Sequence, residues 1–202
     1  MGEHPAGGSP SFPVLALVSS TGGLEALARV LGPLPADFPA AVIAMQHTDP
    51  THPSERARIL DRQTALTVRP AMDGADLVPG EVLVPPAGSH LLVGRDDRVR
   101  LIPTGRLPPA RPSADLLLST LAVAMGDRAV AVVLTGSGHD ASLGVQAVTL
   151  FGGACFMQDE ASSVQYGMPS AATAAGDYGP PLPLDEIASV LMRLLTDGAP
   201  TE

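Results

Sequence analysis

Val14-Leu15-Ala16-Leu17-Val18 runs directly into Ser19-Ser20-Thr21-Gly22-Gly23, after which Leu24, Leu27, Ala28 and Leu31 recur at helical spacing. An unbroken apolar run suits a strand buried on both faces, the habit of parallel sheets. Gly32-Pro33 stops the helix. The phrase is strand, tight polar turn, helix, and the chain repeats it. Residues 40–45 form a second apolar run, followed by Gln46-His47, a Pro-rich loop and a short helix over 54–62. Residues 81–84 read as a third strand. Residues 90–93 and 98–102 flank Gly94-Arg95-Asp96-Asp97 and predict a half-exposed hairpin. Ser113 can cap a helix that runs to Met125. Residues 129–134 form the most apolar strand; they lead through Thr135-Gly136-Ser137-Gly138-His139-Asp140 into a helix ending near Phe151. Residues 154–157 are a further strand, Pro169 opens a helix toward Gly176, and Asp185 caps a last helix carrying Ile187, Leu191 and Leu194 on one face. Alternating strands and helices predict an α/β fold: a doubly wound, mostly parallel sheet with helices on both faces and a small β-hairpin, a Rossmann-like sandwich. The expected boundaries are a flexible segment over 1–13, one domain over 14–197 and a flexible tail over 198–202.

Composition narrows the function. The chain has 202 residues, 45% of them hydrophobic, enough for one domain with a substantial core. A single Cys excludes a disulfide framework and a Cys-cluster zinc site. Aromatics are 3% and the net charge is −9, which argues against binding to phosphate backbones. No apolar run approaches the roughly 18 residues of a membrane span, and no basic segment leads into an apolar core at the start, so the expected location is the cytoplasm without membrane insertion.

In open parallel sheets, sites form beyond the carboxyl ends of the strands. Ser20 lies two residues after Val18, His47 two after Met45, and Asp140 six after Leu134. A hydroxyl, an imidazole and a carboxylate on one sheet edge are the inventory of a Ser-His-Asp hydrolase. Serine needs a base to take its proton during attack, and a neutral imidazole needs a third group to fix its tautomer. The Thr21 amide, at the opening of the first helix, can hold an oxyanion, and the Gly136-Ser137-Gly138 loop can supply a second donor. Each residue also has a plain structural reading: Ser20 and Asp140 as helix caps, His47 as a hydrogen-bonded structural histidine. His139 is a rival base. His47, Asp49 and His52 are a weak metal set, and Ser19-Ser20-Thr21-Gly22-Gly23 fits neither GxGxxG nor a P-loop. Cys155, between Ala154 and Phe156, reads as a buried inert thiol. Arg95, Arg98, Arg100, Arg106 and Arg111 read as a solvated hairpin face, with one or two free to meet an acidic partner.

These motifs resemble those of the CheB-type chemoreceptor glutamate methylesterases. The resemblance is carried by Ser19-Ser20-Thr21-Gly22-Gly23, Gln46-His47, Pro86-Ala87-Gly88-Ser89-His90, Arg111-Pro112-Ser113-Ala114-Asp115, Thr135-Gly136-Ser137-Gly138-His139-Asp140 and the stretch from Glu160 to Pro169. It implies catalytic roles for Ser20, His47 and Asp140 and an oxyanion amide at Ser137. It implies hydrolysis of protein γ-glutamyl methyl esters, with glutamine deamidation in many members, and no cofactor or metal. The implied partner is a methylated chemoreceptor or related signalling protein, with substrate access either unregulated in cis or controlled by a separate receiver protein. Only 13 residues precede the first strand, so the expectation is a stand-alone esterase domain or a fragment of a longer chain. Thr48-Asp49-Pro50-Thr51-His52 replaces the family's Met-Pro and aromatic-Thr rim; Ser137, His139 and Ala141 stand where Met, Asn and Gly are common. Two other functions fit the same residues: a non-catalytic receptor-binding signalling domain, and an esterase for another modified protein or a small ester.

Overall fold

Alternate side chains of the first strand fill two separate cores. In β1 (Val14–Ser19), Val14, Ala16 and Val18 join one apolar cluster while Leu15 and Leu17 join the other, all fully buried. That two-sided burial is what an unbroken apolar run demands. A computed structural model describes residues 12–48, 55–105 and 111–196. The remaining elements are α1 (Gly23–Leu31), β2 (Ala41–Gln46), α2 (Arg56–Asp61), β3 (Thr67–Pro70), β4 (Glu81–Val84), β5 (Ser89–Val93) and β6 (Val99–Pro103). They continue with α3 (Ala114–Met125), β7 (Ala129–Val133), α4 (Ser142–Leu150), β8 (Ala154–Met157), α5 (Gly167–Ala174) and α6 (Leu184–Thr196).

Six strands form one sheet in the order β3-β4-β2-β1-β7-β8, every pair parallel. The chain order reverses at β1, so its carboxyl end, together with those of its neighbours β2 and β7, frames the crevice where α/β sheets place ligands. α3, α4 and α5 cover one face of the sheet; α1, α2 and α6 cover the other. β5 and β6 form an antiparallel hairpin that packs on α3 and buries His90, Leu91, Val93 and Val99.

The fold follows the sequence pattern with local differences. β3 is an edge strand in which only Val68 is buried, so it carries no apolar run to signal it. α5 begins at Gly167, two residues ahead of Pro169, because a helix's first turn needs no internal N–H and tolerates proline there. α6 begins at Leu184, which puts Asp185 inside its first turn rather than at the cap. The described part of the short helix after the second strand starts at Arg56. The flexible-segment expectation for residues 1–11 and the tail over 198–202 lie outside the described residues; Phe12 already packs on the core and accepts a hydrogen bond from Arg128 at its carbonyl. No helix among the described residues is long and apolar enough to cross a membrane.

Candidate active site

Ser20 and His47 follow directly on the paired strand ends Ser19 and Gln46, and the His47 amide donates to the Ser19 carbonyl at 2.9 Å. Neighbouring strands lie about 4.8 Å apart, so Ser20 and His47 occupy adjoining backbone positions at the edge of the sheet. The Ser20 turn is fixed from several directions. Its amide donates to Thr135 O at 2.9 Å, and its carbonyl accepts from Gln46 Nε2 at 3.0 Å and from the Gly23 amide at 2.9 Å. Buried Thr135 is the hub: its hydroxyl donates to Thr21 O and accepts from the Gln165 amide, while its own amide donates to Gln158 Oε1. Gly22, at φ 78°, makes the turn into α1, which starts at Gly23. Thr21 therefore lies ahead of the helix rather than in its first turn, and the expected help from the helix dipole is indirect.

His47 Nε2 lies 2.8 Å from Asp140 Oδ2, with both side chains mostly shielded from solvent. A carboxylate can only accept, so the Nε2 proton points at Asp140; in the neutral ring Nδ1 then carries the lone pair, and among the described residues it has no hydrogen-bond partner. Among the described residues Ser20 Oγ has no hydrogen-bond partner, so the structure joins His47 to Asp140 and leaves Ser20, at the adjoining strand end, without a closed contact to the pair. Nucleophile–base contacts commonly tighten only when substrate is bound.

Asp140 caps a helix, though not the one after it. Its carboxylate accepts from the Ala114 amide at 2.6 Å, the Asp115 amide at 3.0 Å and Ser113 Oγ at 3.1 Å, all at the start of α3. The amides that open α4, Ala141 and Gly144, go instead to Asp115 Oδ1 at 3.0 and 2.8 Å. The two aspartates thus exchange helices, which locks the Asp140 loop to α3. Burial pushes the Asp140 carboxyl up, but the His47 hydrogen bond and the Asp115 and Ala114 amides outweigh it and hold the group below its ordinary value. Burial pushes the Asp115 carboxyl up, and its amide partners only partly offset this. Ala141 adopts φ 105°, a region that costs a residue with a Cβ about 1–3 kcal/mol. The Asp115 bond to its amide helps to hold it there.

Ser137 and His139 are exposed, and the Thr21 and Ser137 hydroxyls lie 3.5 Å apart across the crevice. Among the described residues neither the Thr21 nor the Ser137 amide donates a hydrogen bond. The loop between them leaves no room: a Cβ on Gly136 would lie 2.8 Å from Ser20 Cβ and 2.4 Å from Met168 Sδ. Cys155 is buried with its thiol pushed up to about 11, as an inert core position requires. Arg98 pairs with Asp76 and Arg100 with Asp96 on the exposed hairpin. The residues of the weak metal set beyond Thr48, and Arg106, lie outside the described residues. Sequence reasoning singled out Ser20, His47 and Asp140 but assigned no role to Thr135, Gln46, Asp115 or His90; only their place in short motifs marked them.

The family model described as CheB methylesterase matches residues 15–191. The protein-glutamate methylesterase FrzG of Myxococcus xanthus is 39% identical over 184 residues, 91% of this chain and 55% of FrzG. A protein-glutamate methylesterase/protein-glutamine glutaminase of Moorella thermoacetica is 41% identical over 194 residues, 94% of this chain and 46% of that protein. The chain spans about half the length of the curated relatives it matches. The crystal structure of the Thermotoga maritima CheB methylesterase catalytic domain superposes with a TM-score of 0.84 at 32% identity, covering 92% of this chain and 100% of that one.

Proposed function

The chain belongs to the CheB methylesterase family, and from that premise we propose that it hydrolyses γ-glutamyl methyl esters on a chemoreceptor or related signalling protein. The observation that carries the reading is the His47–Asp140 hydrogen bond placed beside the Ser20 turn. Ser20 Oγ attacks the ester carbonyl carbon as its proton passes to His47 Nδ1. Asp140 holds the Nε2 proton and stabilises the imidazolium that results. The free amides of Thr21 and Ser137 take the oxyanion. His47 then returns the proton to the departing methoxide, methanol leaves, and an acyl-serine remains. Water, deprotonated by the same imidazole, opens that intermediate and restores glutamate and the Ser20 hydroxyl.

The ring is used the other way round from the usual serine-protease arrangement, where Nε2 faces the serine and Nδ1 the aspartate. The logic is unchanged: one nitrogen is fixed as donor by a carboxylate, which makes the other a base. On a glutamine side chain the same steps would release ammonia, in keeping with relatives whose names include a glutaminase activity.

The test is methanol release from methylated receptor by wild type and by Ser20→Ala. The reading requires that the variant lose nearly all of the activity. Equal rates would remove Ser20 as the nucleophile. Tight receptor binding by wild type without any ester loss would instead indicate a binding domain.

A further inference from the structure

His90 is a buried imidazole outside the proposed relay, with 2% of its surface exposed, on the hairpin strand that packs against α3. Its Nδ1 accepts the Ser113 backbone N–H at 2.9 Å. Ser113 is the N-cap of α3, and its hydroxyl accepts the Leu116 amide while donating to Asp140 Oδ1. One residue thus touches His90 with its main chain and the Asp140 carboxylate with its side chain. The next two amides, of Ala114 and Asp115, also end on Asp140.

The chemistry of the contact fixes the state of the ring. A backbone N–H can only donate, so Nδ1 must carry a lone pair and the proton resides on Nε2. Nε2 is buried and, among the described residues, has no hydrogen-bond partner. Burial, countered by the nearby Asp140 and reinforced by Arg111, holds the His90 pKa below its ordinary value, in keeping with a neutral ring. A side chain needed only for packing would be apolar and would leave no polar atom orphaned in the core. What an apolar residue would lack is the acceptor at Nδ1.

We propose that His90 is a positioning residue for the esterase: by anchoring the Ser113 amide it sets the start of α3 so that the amides and hydroxyl there hold Asp140 in line with His47. This rests on the esterase reading for its meaning, but its geometry is testable without turnover. His90→Leu removes the acceptor and keeps the bulk. His90→Asn places Oδ1 where Nδ1 stood. Two readouts are compared: kcat and KM for methanol release, and the downfield proton resonance of the His47 Nε2–H bonded to Asp140.

The expected result is that His90→Leu lowers kcat about tenfold with KM nearly unchanged and shifts or broadens that resonance. His90→Asn restores both toward wild type. Wild-type kcat and an unmoved resonance in His90→Leu would overturn the proposal. So would equal losses in Leu and Asn variants that both unfold cooperatively. If the Leu variant does not fold, the Asn variant decides: retention of the resonance supports the proposal and its loss overturns it. If wild type releases no methanol, the esterase reading fails, and the resonance alone settles the positioning role.

Discussion

The loop between β7 and α4 has two ends and a crest, and they are built in opposite ways. Thr135 at one end is buried and bonded through its amide, carbonyl and hydroxyl to Gln158, Ser20, Thr21 and Gln165. Asp140 at the other end accepts from His47 and from three groups at the start of α3. Ser137 at the crest is exposed, and its amide has no partner among the described residues. In the proposed reaction the ends fix the positions of nucleophile and acid–base pair before substrate arrives, and the crest keeps a donor available for charge that appears only in the transition state. Preorganisation at the ends and unspent hydrogen-bonding capacity at the crest are what an oxyanion-stabilising site needs.

Substitutions at the ends should therefore cost far more than side-chain changes at the crest. Asp140→Asn is the most severe. It preserves shape but replaces an acceptor-only group with one that can present N–H to His47. A loss of about 10⁴ in kcat is expected, by analogy with the same change in serine proteases, measured by methanol release. The same variant tests the charge. The native carboxyl lies below its ordinary value of 3.8, so it adds stability at neutral pH that is lost as pH falls through the depressed native value. Wild type should lose stability through that acid range, and Asp140→Asn should show less of that acid-dependent loss in unfolding measurements.

Gly136→Ala comes next. The new methyl would press on Ser20 and Met168 at distances real contacts do not reach, so one of them must move. Misplacing the nucleophile by about 1 Å can cost about 10²-fold, and kcat should fall accordingly while receptor binding persists. Asp115→Ala removes the side chain that anchors the start of α4 and the strained Ala141. It should lower stability by about 1–2 kcal/mol, the worth of a helix cap, visible as a reduced denaturation midpoint. At the crest, Ser137→Ala keeps the backbone amide and should change kcat by no more than about twofold. A large loss there would mean that the hydroxyl, rather than the amide, meets the substrate.

What could be read from the sequence divides along the same line. β1, β2 and β7 announced themselves because burial on both faces leaves an unbroken apolar run, and sheet logic then put Ser20, His47 and Asp140 at one edge. β3 did not, since its single buried residue, Val68, and its closing proline make no pattern. The crossed caps were illegible for a different reason. Asp140 and Asp115 each sit just before or just inside a helix, and local rules assign each to its own helix. Only the packing of α3 against α4 exchanges them. His90 likewise reads only as the first residue of a hairpin strand and the last of a short motif; its role comes from the contact with Ser113, 23 residues away in the chain.

In the proposed reaction Ser20 and His47 act as one unit, which methanol release by Ser20→Ala, His47→Ala and the double variant under identical conditions would test. The double variant should be no slower than Ser20→Ala alone, because a base without its nucleophile has nothing to deprotonate. Losses that multiply, each residue contributing its full factor in the absence of the other, would contradict it.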